Sequence, residues 1–468
     1  MSTESTSRRS RSRARRTRAF LASFALVIGA LALAGAVAAT VGVVQGPRVT
    51  SVQVDPDAAA AASGSRLIMT TSQSLAEIEP SQVTIEPAAP FAVDTSGRNV
   101  GIRFTTALWD DTEYTVTVRG VEGIGGGPTT TLTETFRTPA IDVHLLKRDT
   151  ADGDVIFRTD LTGEQAVPVF THPHIEDYRA TATHLVVSVR TESDLPALIV
   201  TDLDGENERE LPLPAEDGTV SALQAADRGE TIGYVFTEAS LGEDGGIEST
   251  LFTTTASGDG AATAIEVTGA DSRVAEWRFV PETDSILLLG FDSTLMLTGA
   301  EGGTGTSLGS AIGIEGVAGT DAIVERIDGM TVVDLADGSE APLDASGANA
   351  GVLASVLPMP GGDTLRATVL FDDAGLPVGT TVAAVDPDGQ SREVADVAGA
   401  DALLQTCVSP SARYAALLVA PDAVSNPYDQ YLLPLPERLE TRIVDVSTGQ
   451  PVVDLTGFDI SWCRVPPT

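Results

Sequence analysis

The chain has 468 residues, 42% of them hydrophobic, so it is too long for one ordinary domain and too apolar for a disordered chain. Its net charge is −37, and outside residues 1–18 the 22 basic and 65 acidic residues leave −43. A surface of that sign repels phosphate backbones, which excludes nucleic acid as a partner of the bulk and makes solubility the plain reason for the acidity.

Residues 1–18 read as a basic tail: seven arginines (Arg8, Arg9, Arg11, Arg13, Arg15, Arg16 and Arg18) stand against one acid, Glu4. The apolar stretch Ala19 to Val44 follows. At about 1.5 Å per residue, a helix over 19–44 spans the roughly 30 Å hydrocarbon layer, and a lone span in lipid has no other way to satisfy its backbone. The expectation is a signal anchor over 19–44 with the basic tail in the cytoplasm and the chain after residue 48 exported. The alternative is a cleaved signal peptide and a secreted protein, since Ala36-Val37-Ala38 has the small-residue cleavage pattern. Against that, the apolar run is longer than the roughly 7–15 residues of a signal-peptide core. No cysteine lies near this segment, which excludes a lipoprotein anchor.

Residues 48–139 have the rhythm of a β-sandwich. Short alternating runs occur at 49–54, 66–70, 82–85, 99–104, 114–118 and 133–137, punctuated by Pro, Gly and Asp. Leu108-Trp109-Asp110-Asp111-Thr112-Glu113-Tyr114 places an apolar residue, an acidic turn and a Tyr at a strand start. That is a tyrosine-corner pattern, with Tyr114 and Leu108 in structural roles. On these runs, together with Val54-Asp55-Pro56, Val83 to Pro87, Leu108 to Val118 and Glu134 to Pro139, the segment resembles the bacterial Ig-like domain of surface-layer proteins (the SbsA type). The resemblance covers about 90 residues, roughly a fifth of the chain, and implies a spacer or adhesion module without an active site.

Residues 140–468 repeat one pattern: an apolar strand, a turn with Asp and Gly, then another strand. Seven copies occur, at 157–163, 200–205, 252–258, 295–299, 332–338, 384–389 and 443–449, of which the third and fourth are weak. Gly accepts a positive φ and Asp bonds its own turn, so the pair suits a hairpin. A second hairpin accompanies most copies, as at 226–230, 281–284 and 409–413. Four strands at such a period read as propeller blades, seven of them, with six or eight as the alternatives. Asp459 to Cys463 reads as an inner strand completed by Val143 to Lys147, which would close the ring and remove its edges. On these turns and on Cys407-Val408-Ser409-Pro410, the domain resembles TolB-like and WD-repeat-like propellers. The usual Ser-Pro-Asp-Gly is eroded here and the Trp-Asp dipeptide is missing, so the resemblance speaks to fold rather than subfamily. It implies a ring that offers a face or its central channel to a partner. With a single lysine, Lys147, and abundant Ala, Gly, Asp and Val, the composition points to a high-GC, actinobacterial source.

The residues that carry chemistry are sparse. The histidines are His144, His172, His174 and His184; His172-Pro173-His174 is the one close pair and lacks further ligands nearby in sequence for zinc. Asp202-Leu203-Asp204-Gly205 and Asp386-Pro387-Asp388-Gly389 resemble pieces of calcium loops but coincide with the repeating turn. Gly123 to Gly127 is glycine-rich with no following helix to present its amides to phosphate. No nucleophile elbow or phosphate-binding loop is written in the sequence, so neither a cofactor nor a catalytic residue is expected. Cys407 and Cys463 fall at the same register of consecutive units; an exported chain favours a disulfide, with two buried thiols as the alternative.

The expectation is an all-β protein: an N-terminal transmembrane helix, an Ig-like β-sandwich and a seven-bladed β-propeller. It would act as a membrane-anchored, non-catalytic module that binds a protein or an envelope polymer. The rival is a surface carbohydrate-active hydrolase or lyase with its site in the propeller channel. That reading requires carboxylates or histidines gathered where the inner strands meet.

Overall fold

A computed structural model describes residue 20 and residues 22–33, 46–149, 153–242, 246–344 and 351–467. The basic tail lies outside these residues. Of the apolar segment 19–44, residue 20 and residues 22–33 are described and are helical, and their side chains are exposed. Among the described residues no helix is long and apolar enough to cross a membrane. The chain divides into two compact units. The first holds Gly64–Thr105, Thr112–Thr138 and the described residues up to Ala59; the second holds Ala60–Ser63, Thr106–Asp111 and the described residues from Pro139 onward.

The first unit has two antiparallel sheets. One runs in the order Val49–Gln53, Arg66–Thr71, Asn99–Phe104, Phe91–Ser96; the other in the order Val83–Glu86, Glu113–Val121, Thr130–Arg137. Alternate residues are buried: Leu67 and Met69 on one sheet, Tyr114, Val116 and Val118 on the other. The rings of Phe104 and Phe136 lie 6.0 Å apart across the two sheets. The strand Phe91–Ser96 escaped sequence reading. It is an edge strand whose alternation is blurred by Asp94, Thr95 and Ser96, and it is made by a tight hairpin at Gly97, φ +58°. The short helix Pro56–Ala61 was also unforeseen; its first turn is tied by the Asp55 carboxylate, which accepts the Ala58 N–H at 3.0 Å.

Among the described residues, the second unit contains seven sheets in chain order. The first holds Asp142–Lys147, Asp154–Asp160 and Val167–His172, and the other six are four-stranded meanders. Their opening strands are Ile175–Ala180, Gly218–Ala225, Val274–Phe279, Gly313–Ala318, Val352–Pro358 and Ala402–Val408. Each of the seven Asp/Gly turns read from the sequence connects the last two strands of one sheet, and the hairpins at 226–230, 281–284 and 409–413 connect first to second strands.

The sheets are arranged as a ring. The opening strands of the second to sixth sheets each lie beside the next in succession. Neighbouring sheets share apolar cores: Val186 and Leu198 pack with Leu223 and Tyr234, Val235 with Trp277, and Leu289 with Ile314. The last sheet returns to the first, since Cys407, Ala416 and Ile443 pack with Val143 and Leu145. A closed circuit of radially packed meanders is a β-propeller, and it leaves no long open edge. The fit between neighbours is close. A Cβ on Gly233 of the third sheet would stand 2.5 Å from the indole of Trp277 in the fourth, so a buried Trp and a facing Gly form one packing unit.

The closing segment departs from expectation. Asp459 to Cys463 is not a strand. Phe458 alone bridges to Leu146, each donating its N–H to the other's carbonyl at 2.9 Å. Asp459 then takes a left-handed φ of +58°, which turns the chain out of the ladder, and the Cys463 N–H closes a turn onto the Ile460 carbonyl at 2.7 Å. The first sheet therefore receives a single bridging residue where a full inner strand was expected.

Candidate functional site

The opening strands line the ring axis, and each of the six from Ile175–Ala180 onward carries a register shift against its partner strand, between Ile175 and Asp177, Ser221 and Gln224, Val274 and Glu276, Ile314 and Gly316, Leu353 and Ser355, and Leu403 and Gln405. A bulge turns side chains out of alternation and re-aims them. Several of the re-aimed polar groups reach the next sheet. The carboxylate of Glu276 accepts the Ile314 N–H at 2.9 Å, and that of Glu315 accepts the Val356 N–H at 3.0 Å. Gln224 Nε2 donates to the Trp277 carbonyl at 2.7 Å, and Arg278 Nη2 to the Ile314 carbonyl at 2.9 Å. Burial pushes the Glu315 carboxyl up, with the Val356 amide pulling the other way.

The densest charge cluster sits where the closing segment meets the second sheet. Arg179 Nη1 lies 2.8 Å from Asp177 Oδ1 and 2.9 Å from Asp459 Oδ2, and the three side chains are 3%, 15% and 2% exposed. The Tyr178 hydroxyl donates to the Asp459 carbonyl at 2.7 Å. Burial pushes the Asp177 carboxyl well above its ordinary range; the Arg179 charge opposes this and the neighbouring Asp459 reinforces it. Burial likewise raises the Tyr178 phenol. Arg179 Nε and Nη2 and Asp459 Oδ1 are buried without a hydrogen-bond partner among the described residues.

The segment 458–465 continues across several sheets. The Ser461 N–H donates to the His144 carbonyl in the first sheet at 3.0 Å. Arg464 Nε pairs with Asp227 in the third sheet at 3.1 Å, and Gln405 Nε2 of the last sheet donates to the Val465 carbonyl at 2.9 Å. Cys463 is bonded to Cys407 on the last opening strand, with a Cα separation of 5.4 Å. The pairing read from the sequence is present, but not by a shared register: Cys407 lies on a strand and Cys463 in the turn after Ile460, which sets the two Cα atoms within disulfide range.

The histidines do not converge. His144 is buried, with Nε2 3.0 Å from the Leu203 carbonyl, and burial lowers its pKa. His172 Nδ1 accepts the His174 N–H at 3.1 Å, His174 Nε2 pairs with Glu176 at 2.7 Å, and His184 Nδ1 pairs with Glu230 at 2.7 Å. Among the described residues no group of three or more His, Cys, Asp or Glu side chains stands ready to hold a metal ion. The calcium-like aspartates bind their own turns. Asp386 Oδ1 accepts the N–H groups of Asp388 and Gln390 at 3.0 and 2.8 Å, Asp204 Oδ1 that of Glu206 at 3.2 Å, and Asp202 Oδ2 the Asn207 amide at 2.7 Å. In the first unit Tyr114 is buried at the start of Glu113–Val121, its ring 5.8 Å from Phe136; Leu108, which falls in the second unit, is buried as well. Gly123 to Gly127 lies in the connection between Glu113–Val121 and Thr130–Arg137, with no helix after it.

Sequence reading missed two arrangements. The charge cluster joins positions from opposite ends of the domain, and nothing local marks Asp459 as a partner of Asp177. A second polar knot involves the long connection 421–439: Arg148 pairs with Asp429 at 2.8 Å and lies 3.9 Å over the Tyr431 ring, whose hydroxyl donates to Asp154 at 2.8 Å. The length of that connection, unusual among the repeats, was the available signal.

No protein-family model matches this chain, and no curated protein sequence matches it. Solved structures are similar at low identity. A protein from Agrobacterium tumefaciens assigned as TolB is 12% identical, with a TM-score of 0.37, over 68% of this chain and 90% of its own. The Myceliophthora thermophila Cps50 (Swd1) β-propeller domain is 11% identical, with a TM-score of 0.40, over 62% of this chain and 87% of its own. A protein from Bacteroides fragilis assigned as a 6-phosphogluconolactonase is 12% identical, with a TM-score of 0.41, over 69% of this chain and 96% of its own. The propeller architecture rests on the chain's own closed circuit of sheets.

Proposed function

We propose that this chain is a membrane-anchored, extracytoplasmic binding or scaffold protein of actinobacterial type. Residues 19–44 serve as the anchor, 1–18 as the cytoplasmic tail, 48–139 as an Ig-like spacer with Tyr114 and Leu108 as its corner, and 140–468 as a seven-bladed propeller. The propeller is the interaction module, and its partner is a protein or an envelope polymer. One observation carries the non-catalytic reading: two carboxylates of the opening strands are spent on holding sheet to sheet. Glu276 and Glu315 accept backbone amides of the next sheet, and the segment 458–465 bonds to the first, second, third and last sheets. A carboxylate committed to a buried amide is a poor proton donor or nucleophile for a substrate.

The hydrolase or lyase reading draws on a specific feature, the raised carboxyl of Asp177 beside Asp459, since perturbed carboxyl groups cluster at active sites. The two readings separate experimentally. The full chain is incubated with envelope polysaccharide and with envelope protein fractions, and both soluble-saccharide release and retention on immobilised chain are measured. The binding reading expects retention of one fraction without release, unchanged by Asp177→Asn. Saccharide release that Asp177→Asn abolishes would sink it.

A further inference from the structure

In each four-stranded meander of the ring, the second-to-third connection and the passage to the next sheet lie at one end of the strands, while the first-to-second and third-to-fourth connections lie at the other. The two resulting faces differ in composition. Every second-to-third connection of the second to seventh sheets presents an exposed large apolar side chain: Leu195, Leu241, Phe291, Ile327, Leu376 and Tyr428 in turn. Ile327 is 97% exposed, Leu376 62%, Tyr428 61% and Phe291 58%. On the opposite side, among the described residues of this unit, three large apolar side chains are exposed: Val167 and Val452, on strands beside third-to-fourth connections, and Trp109, whose ring lies 5.3 Å beneath the Arg413 guanidinium of a first-to-second connection. Isolated exposed apolar residues are ordinary, but one on each of six successive connections, all at one face, is a repeated surface feature.

The same connections are acidic. They hold Glu192 and Asp194, Glu248, Asp292, Asp328, Asp372 with Asp373, and Asp422 with Glu437. The basic residue within them, Arg438, is outnumbered; at the same face Arg273 lies 5.8 Å over the Phe291 ring and is paired with Asp271, and Arg148 of the first sheet's connection is buried against Asp429. An anionic lipid surface would be repelled by such a face, and a bare polysaccharide would leave its apolar groups uncovered.

We propose that this face docks a cationic amphipathic segment of a protein partner, the apolar side chains acting as anchors and the surrounding carboxylates pairing with Lys or Arg. The proposal rests on the interaction reading above and specifies its partner. Lone large side chains between charged neighbours suit a helix or strand that offers an apolar anchor at intervals with basic groups between.

The test uses the full chain in nanodiscs and an 18-residue Leu/Lys amphipathic peptide as probe. The expected result is saturable binding that weakens with salt and protects the second-to-third connections from amide hydrogen exchange. Ile327→Ser, Leu376→Ser and Tyr428→Ser combined should weaken binding at least tenfold. Val167→Ser with Val452→Ser, on the other face, should leave it unchanged. Three outcomes overturn the proposal: protection at the opposite face or equal binding by the triple variant; capture of phosphatidylglycerol vesicles by the nanodisc-held chain that the triple variant loses, which assigns the face to membrane; and concentration-dependent self-association that the triple variant loses, which assigns it to a second copy. Each of these leaves the interaction role standing, whereas saccharide turnover abolished by Asp177→Asn removes that role itself.

Discussion

Asp177 shows how burial, reinforced by a neighbouring carboxylate, raises a carboxyl pKa. Its neighbours are one guanidinium and one carboxylate, so the cluster is closest to neutral when Asp177 holds its proton. Its folded-state pKa lies above the unfolded value of 3.8, so the native chain binds this proton more tightly than the unfolded chain does. The resulting stability is fully present below about pH 3.8 and is lost as pH rises through the raised folded value. Asp177→Asn keeps the neutral form at every pH. The variant should match the wild type in urea midpoint at the acid end and gain on it steadily as pH rises. Parallel midpoint-versus-pH curves for the two proteins would show that Asp177 does not titrate in that range. Little of this was visible in the sequence, where Asp177 and Asp459 are ordinary aspartates far apart.

At the scale of the element, the repeating Asp/Gly turn was legible because its cause is local. A positive φ and a carboxylate over its own turn need only four or five consecutive residues. What differs between copies is what the turn meets. Gly205, φ +85°, lies against the neighbouring sheet, and a Cβ there would stand 1.7 Å from the Val169 carbonyl oxygen. Gly338, φ +75°, occupies the same place in the fifth sheet and would meet only Leu308, at 3.7 Å. Gly338→Ala should therefore cost about 1–2 kcal/mol from backbone strain alone, and Gly205→Ala about 3 kcal/mol or more from strain and overlap together. Urea unfolding of both variants checks the order; equal losses would mean that the turn of the second sheet does not press on its neighbour. The bulges in the opening strands were not legible, because a bulge depends on the register of pairing with another strand rather than on the run itself.

For the whole molecule, the decisive feature is how the ring closes. Backbone closure is slender, since Phe458 alone bridges to Leu146, but the last sheet also packs on the first through Ala416, Ile443, Val143 and Leu145, and Asp459, Ser461 and Arg464 reach the second, first and third sheets. The Cys407–Cys463 bond spans 56 residues, and a loop of that length restrains the unfolded chain by about 4 kcal/mol in the chain-entropy account. Cys407→Ser with Cys463→Ser should lower stability by about that amount, and hydrogen exchange should rise first at 142–147 and 458–463. Uniform loss of protection over all seven sheets would show instead that the ring opens only as a whole.

Strand rhythm and the Asp/Gly repeat were available from the sequence, because each depends on neighbours within a few residues. The division of the chain into sheets followed from the same local turns. Which carboxyl groups hold their protons more tightly, which side chains bridge one sheet to the next, and which face of the ring carries a row of exposed apolar residues were decided by tertiary structure. Those properties belong to groups brought together by ring closure, and burial acts on groups in space irrespective of their distance along the chain.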